Sequence, residues 1–351
     1  MKAFLLHGAK DLRETDLPEP VAGPGEVVVA MRRAGICGSD MHYYSHGQIG
    51  SFVPKRPFVL GHEFAGEIVA VGQDVPKSRI GERVTVDPSM PCGVCAFCRS
   101  GRYNLCLSMR FFGSASCDPH INGGFEEFIA APAINCLEVP ETMSWGEAAM
   151  IEPLSVAVHA VRRAGNLAGQ SVLITGGGTI GQLTAVVARA FGAAEVVLSD
   201  LEPGPRKFAL DRGANATLDA RSDSFSAEAE ALVPGGFDLV IEAAGSAQAL
   251  AQALPAARRG GTIVQVGTLP AAVTLPLNML MAKELSLVGS FRFANVFQIS
   301  IDLLASGRID IKPMITSAFR LDELQEAMDT ALEKTASIKV QIASSTGMLS
   351  V

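Results

Sequence analysis

Residues 171–181 read Ser171-Val-Leu-Ile-Thr175-Gly176-Gly177-Gly178-Thr179-Ile180-Gly181, and the fold turns on them. The apolar run at the start is a buried strand. Gly176 to Gly181 spell G-x-G-x-x-G, a weak signal alone in a chain of 35 glycines. Its surroundings make it strong. A helix over 180–191 follows, stopped by Gly192, and Asp200 ends the next strand, 19 residues after Gly181. Gly176 permits the tight turn, Gly178 lets backbone approach a pyrophosphate, and Gly181 lets helix pack on strand. The helix N-terminus supplies free N–H groups and positive dipole. Asp200 can accept from both adenosine-ribose hydroxyls and would repel a 2′-phosphate, which favours NAD over NADP. The competing reading, a glycine-rich turn without nucleotide, leaves strand, helix and acid unexplained.

Outward from this loop the chain alternates. Strands are expected at 195–199, 237–242, 261–267 and 285–289, with helices at 208–212 and 247–257. Near-continuous apolar strands separated by helices describe a doubly wound parallel sheet covered on both faces, over residues 151–290. Residues 144–164 read as mostly helical. Upstream the grammar is different. Short strands at 26–31, 66–72 and 84–86 follow Gly/Pro turns, as in a barrel-like or sandwich-like domain of 1–150. The tail (helices at 296–305 and from Leu321 to Lys334, strand at 339–342) is expected to return to that first domain, so 291–351 is assigned with it.

Cys92, Cys95, Cys98 and Cys106 form C-x2-C-x2-C-x7-C inside a lobe of about 88–110. Four thiolates so spaced close a tetrahedral shell around one zinc, with no room for water or substrate. Disulfides fit poorly, because 7 cysteines in 351 residues is an odd and sparse set. The N-terminus shows no charged stretch followed by an apolar core, so a reduced, cytoplasmic setting is expected. A net charge of −7 with no basic run disfavours nucleic acid and anionic membrane as partners.

A closed zinc site predicts metal but not chemistry. Cys37-Gly-Ser-Asp-Met-His42 lies in an expected loop after the first strand, Gly61-His62-Glu63 precedes another, and Ile151-Glu152-Pro153 opens a helical stretch. Cys37, His62 and one carboxylate would leave a fourth position open, as a catalytic zinc requires. Spacing alone leaves this even with the alternative, a buried cysteine and a core histidine.

Taken in order, Gly35-Ile-Cys-Gly-Ser-Asp-Met-His-Tyr-Tyr44, Gly61-His-Glu63, the four-cysteine lobe, Glu152-Pro-Leu-Ser-Val156 and the glycine loop resemble a zinc-dependent medium-chain dehydrogenase over the whole length. Tyr43 after His42, and glutamate at 152, resemble its polyol (sorbitol-type) branch. Met109-Arg-Phe-Phe-Gly-Ser114, Pro119-His120, Gly123-Gly-Phe125 and Gly289-Ser-Phe-Arg-Phe293 are similar to its sugar-acid members. The resemblance implies a Rossmann NAD domain beside a β-rich GroES-like catalytic domain. It implies NAD (NADP possible), two zincs per chain, and a homotetramer or homodimer. It implies oxidation of a sugar acid, L-idonate to 5-keto-D-gluconate, with sorbitol or xylitol as the alternative.

Roles follow from the same resemblance. Cys37 and His62 bind catalytic zinc, with Glu63 or Glu152 as carboxylate ligand and Glu152 counted among the catalytic residues. Cys92, Cys95, Cys98 and Cys106 bind structural zinc. Ser39 relays the substrate proton through the cofactor ribose to His42. Tyr43, Phe112, Arg292 and Phe293 face the substrate. Gly176, Gly178, Ile180, Gly181, Asp200, Arg206, Val266, Gly267 and Ser290 hold the dinucleotide. The arginine that the family often places five residues after the strand-ending acid is here displaced by Pro205 to Arg206.

Overall fold

The computed structural model describes residues 1–333 and 337–344. The chain divides into two compact units, Met1–Glu152 with Phe297–Val351, and Pro153–Val296.

In the second unit six strands form one sheet in the order Ala216–Asp219, Glu195–Asp200, Ser171–Thr175, Phe237–Glu242, Ala257–Gln265, Ser286–Gly289. Every pairing is parallel. Val172–Ile174, Val196–Leu198 and Leu239–Ile241 are buried, as two covered faces require. Sequence order reverses between Ser171–Thr175 and Phe237–Glu242, and a ligand crevice belongs at such a switch, beyond the carboxyl ends. The helix expected at 208–212 in fact spans Pro203–Asp211. Pro203-Gly-Pro205 reads as a breaker, but proline in a first helical turn loses no N–H bond and comes with its φ already set.

The first unit is built on Glu26–Gly35. Glu63–Val71 pairs with it antiparallel along one edge. Phe128–Pro132 and then Lys339–Ala343 pair along the other. Arg83–Val86 and Cys136–Glu138 extend the sheet on one side and Ile315–Arg320 on the other. A second sheet joins Asp11–Asp16, Lys2–Gly8 and Phe58–Val59. The core includes Phe4, Leu6, Val29, Phe64, Ile68 and Phe125. At the C-terminal end a 3-10 turn, Leu321–Glu323, leads into helix Leu324–Leu332, and Lys334 lies outside the described residues.

One expectation fails here. Cys37–His42 is not loop: Gly38–His46 is an α-helix with Cys37 as N-cap. The Asp40 carboxylate accepts from Cys37 N–H at 2.9 Å and fixes the first turn. Gly47, at φ 73°, ends the helix. The stretch is mostly polar and has no 3.6-residue apolar pattern to betray it.

Glu126, 4% exposed in this unit, has its carboxyl pushed up to about 8 by burial, with Asn122 opposing. Folding therefore favours its protonated form. Its contribution to stability is full below the ordinary glutamate range and is lost as pH rises through about 8. Glu126→Gln should leave the thermal midpoint unchanged near pH 4 and raise it at pH 9, worth roughly 1–4 kcal/mol. Thermal unfolding of both proteins across pH checks this.

Candidate active site

Strand ends bring three donors together. Cys37 follows Glu26–Gly35, and His62-Glu63 opens the neighbouring Glu63–Val71. One ligand atom each from Cys37, His62 and Glu63 lies within 4.8 Å of the others. Asp40, fully buried, organises them. Besides Cys37 N–H it accepts from Gly61 N–H at 3.1 Å, and its carboxylate lies 3.8 Å from His62 Nδ1. The His62 ring also packs at 5.6 Å from Phe111. Burial, then the charges of Glu63 and Asp40, push the Cys37 thiol up to about 12, against Lys339 and a hydrogen bond from Ser39. A thiol so placed ionises only if a cation joins it, and sulfur, nitrogen and oxygen donors in one cluster suit zinc. The residues fit the metal.

Glu152 is 6% exposed and outside the converging triad. Burial raises its carboxyl well above the ordinary range; His62 opposes this, and Glu63 and Cys37 reinforce it. It therefore feels the same group of charges without joining the three converging donors. A residue that sequence reasoning missed is Lys339, whose ammonium pairs with Glu63, both side chains 1% exposed. A buried lysine on a strand is the one available signal.

Ser39 and His42 lie three residues apart on helix Gly38–His46, hence on one side of it. Ser39 is half-buried and His42 exposed, its ring 5.6 Å from His46. Tyr43 and Phe112, expected to face substrate, are 1% and 3% exposed and belong to the apolar core. The Tyr43 hydroxyl accepts from Ala115 N–H at 3.1 Å, and its ring meets Phe58 edge-on. Phe112 packs edge-on against Phe64. In the second unit Phe293 is fully buried, and Arg292, at φ 50°, sets its guanidinium over Phe291 at 5.1 Å.

In the cysteine lobe the Cys95–Cys98 sulfurs lie 3.5 Å apart and the Cys92–Cys98 sulfurs 4.0 Å apart. A zinc tetrahedron with bonds of about 2.3 Å has edges of about 3.8 Å, so the lobe fits a closed site. Backbone N–H groups of Cys98 and Leu107 hold Cys95 down to about 6. Cys98→Ser should remove one zinc and lower the thermal midpoint by roughly 5 °C or more. Metal analysis and calorimetry check this.

The glycine loop has its expected geometry. Gly176 stands at φ 93° and Gly178 caps helix Thr179–Ala190. A Cβ on Gly178 would meet nothing within 4 Å, which leaves the helix N-terminus open to a phosphate. Ile180 follows, half-buried. Asp200 accepts from Gly177 N–H at 2.6 Å and Glu202 N–H at 2.8 Å. A carboxylate has about four acceptor sites, so two remain for ribose hydroxyls. Val266 and Gly267 donate to Glu242 O at 2.8 and 3.0 Å, and Ser290 N–H to Gln265 O at 2.9 Å. All three therefore stand at the carboxyl ends of the sheet. Arg206 is used differently from expectation. It pairs with Asp219 at 2.8 Å and donates to Asp200 O at 2.9 Å, bracing the strand end.

Residues 23–141 match the alcohol dehydrogenase GroES-like domain and 179–306 the zinc-binding dehydrogenase domain. A sorbitol dehydrogenase from Bacillus subtilis is 38% identical over 97% of both chains. L-idonate 5-dehydrogenase from Escherichia coli superposes at TM-score 0.92 with 35% identity, over 97% of both chains. A zinc-binding dehydrogenase from Sinorhizobium meliloti, solved with NADP, gives 0.86 and 37% over 97% of this chain and 98% of its own. The chain belongs to the zinc-binding alcohol dehydrogenases. Within them it falls among the polyol and sugar-acid dehydrogenases.

Proposed function

We propose that this chain is a zinc- and NAD-dependent dehydrogenase of a sugar acid, converting L-idonate to 5-keto-D-gluconate. The observation that carries the chemistry is the convergence of Cys37, His62 and Glu63 within 4.8 Å. Three donors leave a fourth position for a substrate oxygen. When bound, zinc acts as a Lewis acid on the substrate hydroxyl, and the dinucleotide takes up hydride. The chain's own residues do the rest. Asp40 holds the backbone at Cys37 and Gly61 and sets its carboxylate beside the His62 ring. Ser39, beside Cys37, relays the hydroxyl proton, taking it up as it gives its own to the cofactor ribose, from which the exposed imidazole of His42 passes a proton to solvent. Gly176, Gly178 and Gly181 seat the pyrophosphate, and the free acceptor sites of Asp200 favour NAD, with NADP as the weaker partner.

The sugar acid carries a carboxylate that sorbitol lacks. A guanidinium binds a carboxylate through two parallel hydrogen bonds, and Arg292 is the assigned cation, ahead of Arg110. Support comes from the structural neighbour named L-idonate 5-dehydrogenase. Arg292→Ala should cut kcat/KM for L-idonate by roughly 100-fold, about 2.7 kcal/mol, and for sorbitol by much less. Equal losses would remove the assignment. The sorbitol dehydrogenase relative favours the second reading, a neutral polyol substrate. Steady-state rates with L-idonate, D-gluconate, sorbitol and xylitol, each with NAD and NADP, before and after chelation, decide between them. Strand Ser286–Gly289, at a sheet edge, suits pairing with a second copy in a homodimer or homotetramer. A cytoplasmic setting suits the free cysteines. No described helix is long and apolar enough to cross a membrane.

A further inference from the structure

Three neighbouring strands meet at a glycine. Gly35 pairs with Glu63 on one side and Gln341 on the other. Because position 35 has no side chain, those of Glu63 and Lys339 meet above it. A Cβ there would lie 2.1 Å from Glu63 Oε2 and 2.9 Å from Lys339 Cε. The Lys339 ammonium donates to Ile36 O at 3.0 Å and pairs with Glu63. Lys339 is 2% exposed, so its charge reaches Glu63 unscreened by solvent. The carboxyl-bearing neighbours of this cation are Glu63 in contact and, at longer range, Glu152; Cys37 also feels its charge.

We propose that Lys339 is a positioning residue that shares the Glu63 carboxylate with the metal and thereby weakens the metal's hold on it. This inference rests on the assignment of Cys37, His62 and Glu63 as the open zinc site. A carboxylate whose second oxygen faces a buried ammonium donates less to a metal, as outer partners tune inner ligands elsewhere. It can then leave and return while a substrate occupies the centre. Lys339 also supplies the charge that keeps Glu63 tolerable when the metal is away, since a lone buried carboxylate is costly. Gly35 is the space this pair needs.

Lys339→Met removes the competing charge, so the metal becomes the only counter-ion for Glu63. Full-length protein loaded with zinc, or with cobalt(II), is mixed with a chelator and metal loss from the open site is timed. The expected result is loss at least about tenfold slower than in the wild type, with an altered cobalt absorption spectrum. Lys339→Arg, which keeps the charge, should restore the wild-type rate. A folded Lys339→Met protein that loses metal as fast as the wild type overturns the proposal. If that variant does not fold, a charge-free pair replaces it. Glu63→Gln should shed metal faster than the wild type, and Glu63→Gln with Lys339→Met at the same rate as Glu63→Gln alone, because no carboxylate is left to share. A double variant that sheds metal at least about tenfold more slowly than Glu63→Gln overturns the proposal. A wild-type chain that binds zinc only at the four cysteines overturns the open site itself, and the proposal with it.

Discussion

Cys37→Ser should lower kcat at least about 10³-fold, or about 4 kcal/mol, and leave one zinc per chain. The serine hydroxyl is not a thiolate, so the triad falls to two donors, too few to hold zinc firmly. The fold should survive. Cys37 is the N-cap of helix Gly38–His46, and serine is among the preferred N-cap residues. The thermal midpoint is therefore expected to stay within a few degrees of the wild type, while Cys98→Ser shows the opposite pattern of stability lost at the closed site. Metal content, kcat and calorimetry on the two variants separate a catalytic zinc from a structural one. Full activity in Cys37→Ser would remove the triad from the mechanism.

Gly181→Ala should raise the KM for NAD by roughly 100-fold, about 2.7 kcal/mol, and destabilise the second unit. The added Cβ would stand 1.7 Å from the backbone oxygen of Gly176, a clash that no rotamer relieves. Gly178→Ala is the informative contrast. Its Cβ meets nothing in the free chain, so stability should hold while the KM for NAD rises, because the methyl occupies the space a pyrophosphate needs. Fluorescence titration with NAD and thermal unfolding distinguish the two. If both variants bind NAD normally, residues 176–181 are a turn and not a phosphate cradle.

Much of the fold was legible because burial leaves a one-dimensional trace. Val172–Ile174, Val196–Leu198 and Leu239–Ile241 are apolar runs since both faces of their sheet are covered. The glycines of 176–181 are legible for a steric reason, which the contacts at Gly176 and Gly181 bear out. Helix Gly38–His46 was hidden because its stability comes from the Asp40 contact and a glycine stop, not from periodicity. The four cysteines announced themselves by spacing, being close in sequence. The open triad did not, because His62 lies 25 positions after Cys37 and only pairing of two strands brings them together. Lys339 was harder to find for the same reason, more strongly. It lies 276 residues after Glu63, and its one local signal, a lysine in a strand, names no partner. Tyr43 and Phe112 were assigned to the substrate by resemblance, but their burial in the core is decided by how the two sheets of the first unit pack.

The most direct test of the open site is optical. Cobalt(II) replaces zinc at Cys37, His62 and Glu63, and the visible spectrum is recorded before and after adding L-idonate or sorbitol with NAD. A thiolate-bound cobalt with an exchangeable position should show bands that shift as the substrate oxygen enters. Bands that stay unchanged while the same sample turns substrate over would contradict the account.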